Sequence, residues 1–222
     1  MRPFLEALQH GAVALGLDLT QEQLGRLLDY LDLLQKWGKV YNLTAVRQAG
    51  EMLTHHLLDS MAVISPLQRQ LAELSRTNPV RLLDVGSGAG LPGVVVAVCC
   101  PEIDVSCVDT VAKKAAFIQQ AALSLQLPNL RAIYARVESL PGAYDVVVSR
   151  AFASLADFTQ LSVQSLAPNG VWLAMKGKLQ EAEMAALPVS IQVFHVEQIA
   201  VPGLNAERCL IWMKHRPSWH GL

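Results

Sequence analysis

The chain has 222 residues, with 18 Lys and Arg against 19 Asp and Glu and a formal charge of −1. Hydrophobic residues make up 52% and charged residues 17%, a balance that excludes an intrinsically disordered protein and allows a large buried core. The nearly neutral charge also excludes a protein that coats nucleic acid through its overall charge, but it leaves a local basic surface possible.

The N-terminal third of the chain is predicted to be helical. Thr20 and Gln23 form the T-x-x-Q pattern of a capping box, which marks the start of a helix. A second helix is predicted over residues 51–64, ending before Pro66. Five leucines recur at helical spacing after the capping box and predict one apolar face that packs in the core: Leu24, Leu27, Leu28, Leu31 and Leu34.

From residue 80 onward, short apolar strands alternate with helices. Strands are predicted over 81–85, 104–109, 130–135, 144–149 and 171–176, with helices over 93–100, 112–125 and 155–166. This alternation predicts right-handed βαβ units and a parallel sheet covered by helices on both faces. Two further strand-like runs, 191–201 and 209–214, have only turn residues between them and predict an antiparallel hairpin at the sheet edge.

These elements predict the fold class and the division of the chain. The expected fold is α/β and Rossmann-like, with a mostly parallel seven-stranded sheet that ends in an antiparallel hairpin strand. We expect residues 1–75 to form a helical N-terminal extension packed on the core. Residues 76–222 are expected to form the ligand-binding domain.

No membrane or metal site is predicted. The longest apolar run, residues 91–101, is eleven residues long, whereas a membrane-spanning helix needs about 20. Glu6 and Gln9 interrupt the segment where a signal peptide would be apolar. The four cysteines lack C-x-x-C spacing and no histidine has zinc-site spacing, so we expect reduced thiols in a cytoplasmic protein.

The strongest local signal is the sequence D-V-G-S-G-A-G of residues 84–90, at the end of the first predicted strand. Its glycines allow a tight turn in which a ligand can touch backbone N–H groups at the next helix start. Residues 88–93 also match G-x-G-x-x-G, the dinucleotide fingerprint, which is weak on its own. The carboxylate of Asp84 would be poorly placed beside a pyrophosphate, whereas it suits an ammonium or a sulfonium group.

Two further acids follow the second and third predicted strands. A carboxylate at Asp109 can accept hydrogen bonds from both hydroxyls of a ribose. NAD and S-adenosylmethionine (SAM) both carry such a ribose, so Asp109 does not discriminate between them. Glu138 follows strand three, in the segment that would lie beside the adenine of a bound SAM.

The aspartate with its glycine loop, the acid after strand two and the closing hairpin resemble class I SAM-dependent methyltransferases. Further segments are similar to the RsmG (GidB) family: N-L-T-A-V-R at 42–47, H-L-L-D-S at 56–60, G-L-P-G at 90–93, S-R-A-F-A-S at 149–154 and K-G at 176–177. The resemblance covers about residues 20–215. It implies a Rossmann-like methyltransferase that uses SAM to methylate N7 of one guanine in bacterial 16S ribosomal RNA, on the small ribosomal subunit.

The residues themselves predict most of the site, and the resemblance adds contacts of Gly86, Leu91, Val137, Glu138 and Arg150 with the cofactor. Arg150 and Lys176 would end predicted strands four and five, where open α/β sheets bind ligands, and are expected to position the reactants. Arg150 must leave N7 accessible, so a contact with phosphate or with O6 is expected. RNA contacts are expected from Arg47, Lys176 and Arg208. Cofactor contacts are expected from Asp84, Gly86, Ser87, Gly88, Gly90, Leu91, Asp109, Val137, Glu138 and Arg150.

The residue types also bear on the target atom. Guanine N7 carries an in-plane lone pair and no proton, so its methylation needs positioning but no general base. Methyltransferases of exocyclic amines usually carry an Asn/Asp-Pro-Pro-aromatic loop after strand four, where this chain has Ser149 to Phe152. Methylation of a pyrimidine carbon needs a nucleophilic cysteine, and none is expected near strands four and five. Phe152 could stack on a flipped base or belong to the core, and His56 and Asp59 could equally order a loop.

Three other functions remain open from the residues alone. G-x-G-x-x-G also suits an NAD-dependent oxidoreductase, and the SAM fold also suits an enzyme that methylates a small molecule or a protein. A binding module without activity would leave the cofactor loop unused. The enzyme is expected to be a monomer.

Overall fold

The computed structural model describes residues 4–41, 43–44, 46, 48–73, 79–142, 144–150, 152 and 154–216. Four helical segments come first: α1 (Leu5–Ala14), α2 (Gln21–Tyr41), a continuous run of α3 (Ala49–Met52), a π-helix (Leu53–Leu58) and α4 (Asp59–Met61), and then α5 (Ile64–Glu73). The predicted division between residues 75 and 76 falls in the segment 74–78, which lies outside the described residues.

The predicted capping box opens α2. The Gln23 backbone N–H donates to Thr20 Oγ1 over 3.2 Å, and the Thr20 N–H donates to Gln23 Oε1 over 3.0 Å. The region after α2 differs from the prediction, because α5 was not expected. Pro66 lies in the first turn of α5, where a missing N–H costs no intrahelical hydrogen bond.

The sheet has seven strands, as predicted: β1 (Val80–Val85), β2 (Ile103–Asp109), β3 (Leu130–Tyr134), β4 (Tyr144–Ser149), β5 (Leu166–Lys176), β6 (Ile191–Ile199) and β7 (Arg208–His215). Their order is β3-β2-β1-β4-β5-β7-β6. The first five strands pair in parallel, and β7 runs antiparallel to both β5 and β6, which confirms the closing hairpin. The strand order reverses beside β1, so a crevice opens at the carboxyl ends of β1 and β4.

Helices cover both faces of the sheet: α6 (Gly93–Cys99), α7 (Ala112–Ser124), α8 (Leu155–Ser162) and α9 (Glu181–Ala185). The prediction over 155–166 is corrected, because α8 ends at Ser162 and is followed by a 3-10 turn, Val163–Ser165. Helix α9 was not predicted, since its five residues are too few to show a period.

The N-terminal helices share a core with the sheet. All five predicted leucines of α2 are buried, and one apolar cluster joins them to the π-helix, α6 and α7. Phe158 of α8 and Trp172 of β5 centre a second cluster on the opposite face. Among the described helices, none is long and apolar enough to cross a membrane.

Candidate active site

The glycine loop between β1 and α6 has a backbone that only glycine adopts readily. Gly86, Gly88 and Gly90 have φ angles of 65°, 59° and 87°, in the left-handed region. A Cβ atom at Gly90 would lie 2.5 Å from Val94 Cγ2, so an alanine there would be both strained and crowded. The Gly86 and Ser87 N–H groups donate to the Val108 carbonyl oxygen over 3.0 and 3.2 Å, which fixes the loop to β2.

Asp84 is fully buried beneath this loop. Its Oδ2 accepts a hydrogen bond from the Gly93 N–H over 2.8 Å, at the start of α6. Its Oδ1 has no hydrogen-bond partner within the described residues. Burial raises the pKa of Asp84 to about 7, against the opposing effects of the Gly93 hydrogen bond and the Arg150 charge.

Asp109 connects the end of β2 to the glycine loop. Its Oδ2 accepts from the Gly88 N–H, its Oδ1 accepts from the Val111 N–H, and both distances are 2.9 Å. Lys114 Nζ lies 3.5 Å from Oδ2. The Asp109 carboxylate therefore links the glycine loop to the end of β2, although 21 residues separate Gly88 from Asp109.

A first cavity of about 330 Å³ opens at the carboxyl ends of β1, β2 and β3. Four of the predicted cofactor residues line it: Gly86, Asp109, Val137 and Glu138. Val137 and Glu138 lie in a 3-10 turn, Val137–Ser139, that follows β3. The volume lies in the range of small-molecule sites. The other predicted cofactor residues are not among those that line this cavity: Asp84, Ser87, Gly88, Gly90, Leu91 and Arg150.

A second cavity of about 400 Å³ lies beside the first, between the π-helix and the ends of β4, β5 and β7. It brings together Arg150, Lys176 and Arg208, which the sequence predicts as positioning and RNA-contacting residues. The third predicted RNA contact, Arg47, lies outside the described residues. His55, His56 and Asp59 line the same cavity.

Asp59 holds two of the cationic side chains in place. Arg208 Nε donates to Asp59 Oδ1 over 2.8 Å, and Arg150 Nη1 donates to Asp59 Oδ2 over 3.3 Å. Arg150 Nη1 also donates to the His55 carbonyl oxygen over 3.0 Å. The Asp59 side chain is only 5% exposed, so its charge is balanced by the two guanidinium groups.

His56 is a buried histidine in the wall of this second cavity. It is 6% exposed, and neither ring nitrogen has a hydrogen-bond partner in the part of the chain that the structure describes. Burial, together with the nearby Arg150 charge, lowers the pKa of His56 to about 4, against the opposing effect of the His55 backbone. The imidazole is therefore neutral near pH 7, with one donor nitrogen and one acceptor nitrogen.

Lys176, in the wall of the second cavity, forms an ion pair with Glu183. Its Nζ lies 2.6 Å from Glu183 Oε1, and that oxygen also accepts from the Leu155 N–H over 3.0 Å. Glu183 belongs to α9, the short helix that the sequence did not reveal. The lysine charge is thus held in position by a carboxylate rather than left fully exposed to solvent.

Cys209 corrects the expectation that no cysteine lies near strand five. The antiparallel pairing of β5 and β7 sets Cys209 opposite Lys176, and the thiol donates to the Gly177 carbonyl oxygen over 3.3 Å. Sequence distance concealed this neighbour, because β7 returns to β5 only in the folded chain. Burial raises the pKa of Cys209, so the thiol stays protonated and is not an activated nucleophile.

The two cavities have no described lining residue in common, but both reach the end of β4. A small cavity of about 10 Å³ contains Phe152, which also lines the first cavity, and Arg150, which also lines the second. The Phe152 ring packs against Phe158 with the centroids 6.0 Å apart. A ligand in the first cavity and a ligand in the second would therefore approach each other across residues 149–152.

Comparison with known proteins identifies the family. A family model described as rRNA small subunit methyltransferase G (GidB) matches residues 23–211. The ribosomal RNA small subunit methyltransferase G of Acidovorax ebreus (strain TPSY) is 66% identical over 212 residues, which cover 94% of each chain.

Solved structures share the fold at low sequence identity. TrmN from Thermus thermophilus superposes with a TM-score of 0.54 and 18% identity, over 74% of this chain and 53% of that chain. A SAM dependent methyltransferase from Aquifex aeolicus superposes with a TM-score of 0.50 and 13% identity, over 66% of this chain and 88% of that chain. These structures share the fold of this chain, and the family match shows that the chain belongs to the GidB family, rRNA small subunit methyltransferase G.

Proposed function

We propose that this enzyme transfers a methyl group from SAM to N7 of one guanine in bacterial 16S ribosomal RNA, in the context of the small ribosomal subunit. The observation that carries the proposal is a small cavity at the end of β4, which contains Phe152 from the wall of one larger cavity and Arg150 from the wall of the other. One cavity contains Asp109 and Glu138, and the other contains three cationic side chains. The first would accommodate the cofactor and the second the RNA, at the carboxyl ends of the parallel strands, where such folds bind ligands.

The chemistry of the loop favours SAM over a dinucleotide. A pyrophosphate binds the free N–H groups at the start of the helix after β1, but Asp84 already accepts the hydrogen bond of the Gly93 N–H there. A buried carboxylate at that point would also repel a diphosphate. When bound, SAM would supply a methyl group that its sulfonium activates for direct displacement.

Each cofactor residue has its own role in this proposal. Asp109 accepts hydrogen bonds from the ribose, while Val137 and Glu138 flank the adenine. Gly86 allows the close approach of Phe152, whose Cδ2 would lie 3.1 Å from a Cβ at that position. Asp84 was expected to contact the cofactor, but because its side chain is fully buried we propose that it acts by shaping the loop through Gly93. The remaining loop contacts come from the backbone of Ser87, Gly88, Gly90 and Leu91.

The second cavity would hold the target nucleotide and its neighbouring phosphates. Arg150 and Arg208 are oriented by Asp59, so they present donors at fixed positions to a phosphate or to guanine O6. Lys176 adds a positive charge that Glu183 keeps in place. Because N7 has a free lone pair, these residues need only position the base and exclude water.

The small net charge of the chain favours a folded ribosomal particle over free RNA as the substrate. Setting aside Asp84, Asp109 and Glu138 as residues of the cofactor region leaves 18 basic against 16 acidic residues, since 19 minus 3 is 16. Affinity for free RNA grows with each cation placed on a phosphate, so this surplus is small. We propose a monomeric enzyme that acts in the cytoplasm on an assembled or nearly assembled ribosomal particle.

Methyl transfer from labelled SAM tests this function directly. Naked 16S ribosomal RNA, assembled small subunits and a protein extract would be compared as acceptors, and the labelled nucleosides identified. We expect label in 7-methylguanosine of 16S ribosomal RNA, with assembled subunits the better substrate. Label in another nucleoside or in protein would contradict the proposal. Calorimetry with SAM and with NAD checks the cofactor separately, and binding of NAD alone would contradict the assignment of SAM.

A further inference from the structure

The second cavity contains a polar side chain that the proposed function has not yet used. His56 is 6% exposed, lines the cavity and has no hydrogen-bond partner for either ring nitrogen within the described residues. An unpaired buried polar group is costly to the folded protein. Such a cost is common where a ligand supplies the missing partner.

The local backbone sets His56 in the cavity wall. His56 lies in the π-helix Leu53–Leu58, between the α-helical segments α3 and α4. π-helical turns within α-helices are rare and occur frequently at functional sites. In the same π-helix, the His55 carbonyl oxygen accepts a hydrogen bond from Arg150. Asp59, directly after the π-helix, accepts hydrogen bonds from Arg150 and Arg208. His56 and the two guanidinium groups therefore lie in the wall of the same cavity.

The donors and acceptors of this arrangement match one purine better than the other. On its Watson–Crick edge, guanine carries the acceptor O6 next to the donor N1–H, whereas adenine carries an amine donor next to the acceptor N1. A guanidinium group offers only donors, and a neutral imidazole offers an acceptor nitrogen. An arginine facing O6 and His56 facing N1–H would pair with guanine, but the arginine would oppose the adenine amine with a second donor.

Asp59 is the competing acceptor in this cavity, but it is already engaged by two arginines, whereas His56, among the described residues, is not. A carboxylate could also accept from N1–H, but both oxygens of Asp59 receive hydrogen bonds from Arg150 and Arg208. The pairing also suits the reaction, because a base held by its Watson–Crick edge turns its N7 side away from His56. Enzymes that act on flipped bases commonly read them through this edge.

We infer that His56 accepts a hydrogen bond from N1–H of the target base and makes the site selective for guanine over adenine. This inference rests on the proposed function and deepens it, since it names the atoms by which the substrate base is recognised. Arg150 or Arg208 completes the recognition at O6.

His56→Phe tests the inference because it keeps a ring in the cavity wall and removes both nitrogens. His10→Phe is the matched control, since His10 is exposed on α1. We expect kcat/KM for the ribosomal substrate to fall by about 100-fold in His56→Phe, as for a buried substrate N–H that is left without its acceptor. The Kd for SAM should stay unchanged, and Tm should stay equal or rise, because two unpaired polar atoms have been removed. A kcat/KM within threefold of the wild type would overturn the inference.

His56→Gln provides the second measurement, because its amide oxygen restores an acceptor. It should regain part of the lost kcat/KM, and equal rates for His56→Gln and His56→Phe would also overturn the inference. Comparing ribosomal RNA with guanine and with adenine at the target position should show a smaller preference for guanine in His56→Phe than in the wild type. A wild-type enzyme that leaves 16S ribosomal RNA unmethylated would instead contradict the proposed function, so the two failures are distinguishable.

Discussion

Tyr30 donates a hydrogen bond from its hydroxyl to the carbonyl oxygen of Ala89 over 2.5 Å. Tyr30 lies on α2, fully buried, and Ala89 lies inside the glycine loop. Burial raises the pKa of Tyr30, so its hydroxyl keeps the proton that it donates. The N-terminal helices thus hold the loop that we propose binds the cofactor, in addition to covering one face of the sheet.

Replacing Tyr30 with Phe should affect both stability and cofactor binding. The Ala89 carbonyl would lose this partner in a buried position, which costs about 1–3 kcal/mol. The loop would also be less well ordered, so we expect the Kd for SAM to rise several-fold. Urea unfolding and calorimetry measure the two effects, with Tyr134→Phe as the control because Tyr134 is 66% exposed. Equal stability and equal Kd would show that the contact is dispensable.

The sequence predicts the elements of this fold better than the contacts between them. Apolar alternation and the glycine loop predicted the parallel strands and the hairpin, because these signals are local. Arg208 and Asp59 are 149 residues apart, and their contact depends on the position of β7 beside β5. The leucine stripe predicted which face of α2 is buried, but periodicity does not reveal that the hydroxyl of Tyr30 meets a loop carbonyl. The position of Cys209 beside Lys176 was missed for the same reason as the contact between Arg208 and Asp59.

Asp84 should make the stability of the protein depend on pH. Its pKa is about 7 in the folded chain and 3.8 in the absence of burial. Between these values the folded state holds a proton that the unfolded state has lost, so stability falls as pH rises through this window. Asp84→Asn removes the titration but keeps an oxygen that can accept from the Gly93 N–H. The free energy of unfolding of Asp84→Asn relative to that of the wild type should therefore be about 2–3 kcal/mol higher at pH 8 than at pH 5.

Urea unfolding of the wild type and of Asp84→Asn at the two pH values checks this prediction. Asp104→Asn is a suitable control, because Asp104 is exposed on the neighbouring strand β2. An equal difference in the free energy of unfolding at pH 5 and at pH 8 would mean that Asp84 is already ionised well below pH 7.

Asp109→Ala should weaken both SAM binding and the fold. The variant removes the proposed acceptor for the ribose hydroxyls and the two hydrogen bonds to the Gly88 and Val111 N–H groups. Each hydrogen bond to a charged group is worth about 1.5–3 kcal/mol, so we expect Kd to rise on the order of 10–100-fold. Asp104→Ala serves as the control on the same strand, and calorimetry gives both constants. An unaltered Kd would place the ribose elsewhere.

Arg150→Ala should remove methylation while the fold survives. Asp59 would keep its 2.8 Å contact with Arg208, so the variant does not leave a buried charge without a partner. What it removes is a donor at the end of β4, which both cavities reach and where the methyl group would pass. We expect kcat/KM to fall by roughly 100-fold, in the range of other lost positioning contacts, with little change in Tm.

Arg69→Ala is the control, because Arg69 is 61% exposed and its ion pair with Glu197 lies at the surface. Turnover equal to the wild type would exclude Arg150 from the site, whereas a large fall in Tm would indicate that Asp59 needs both arginines to remain folded in place.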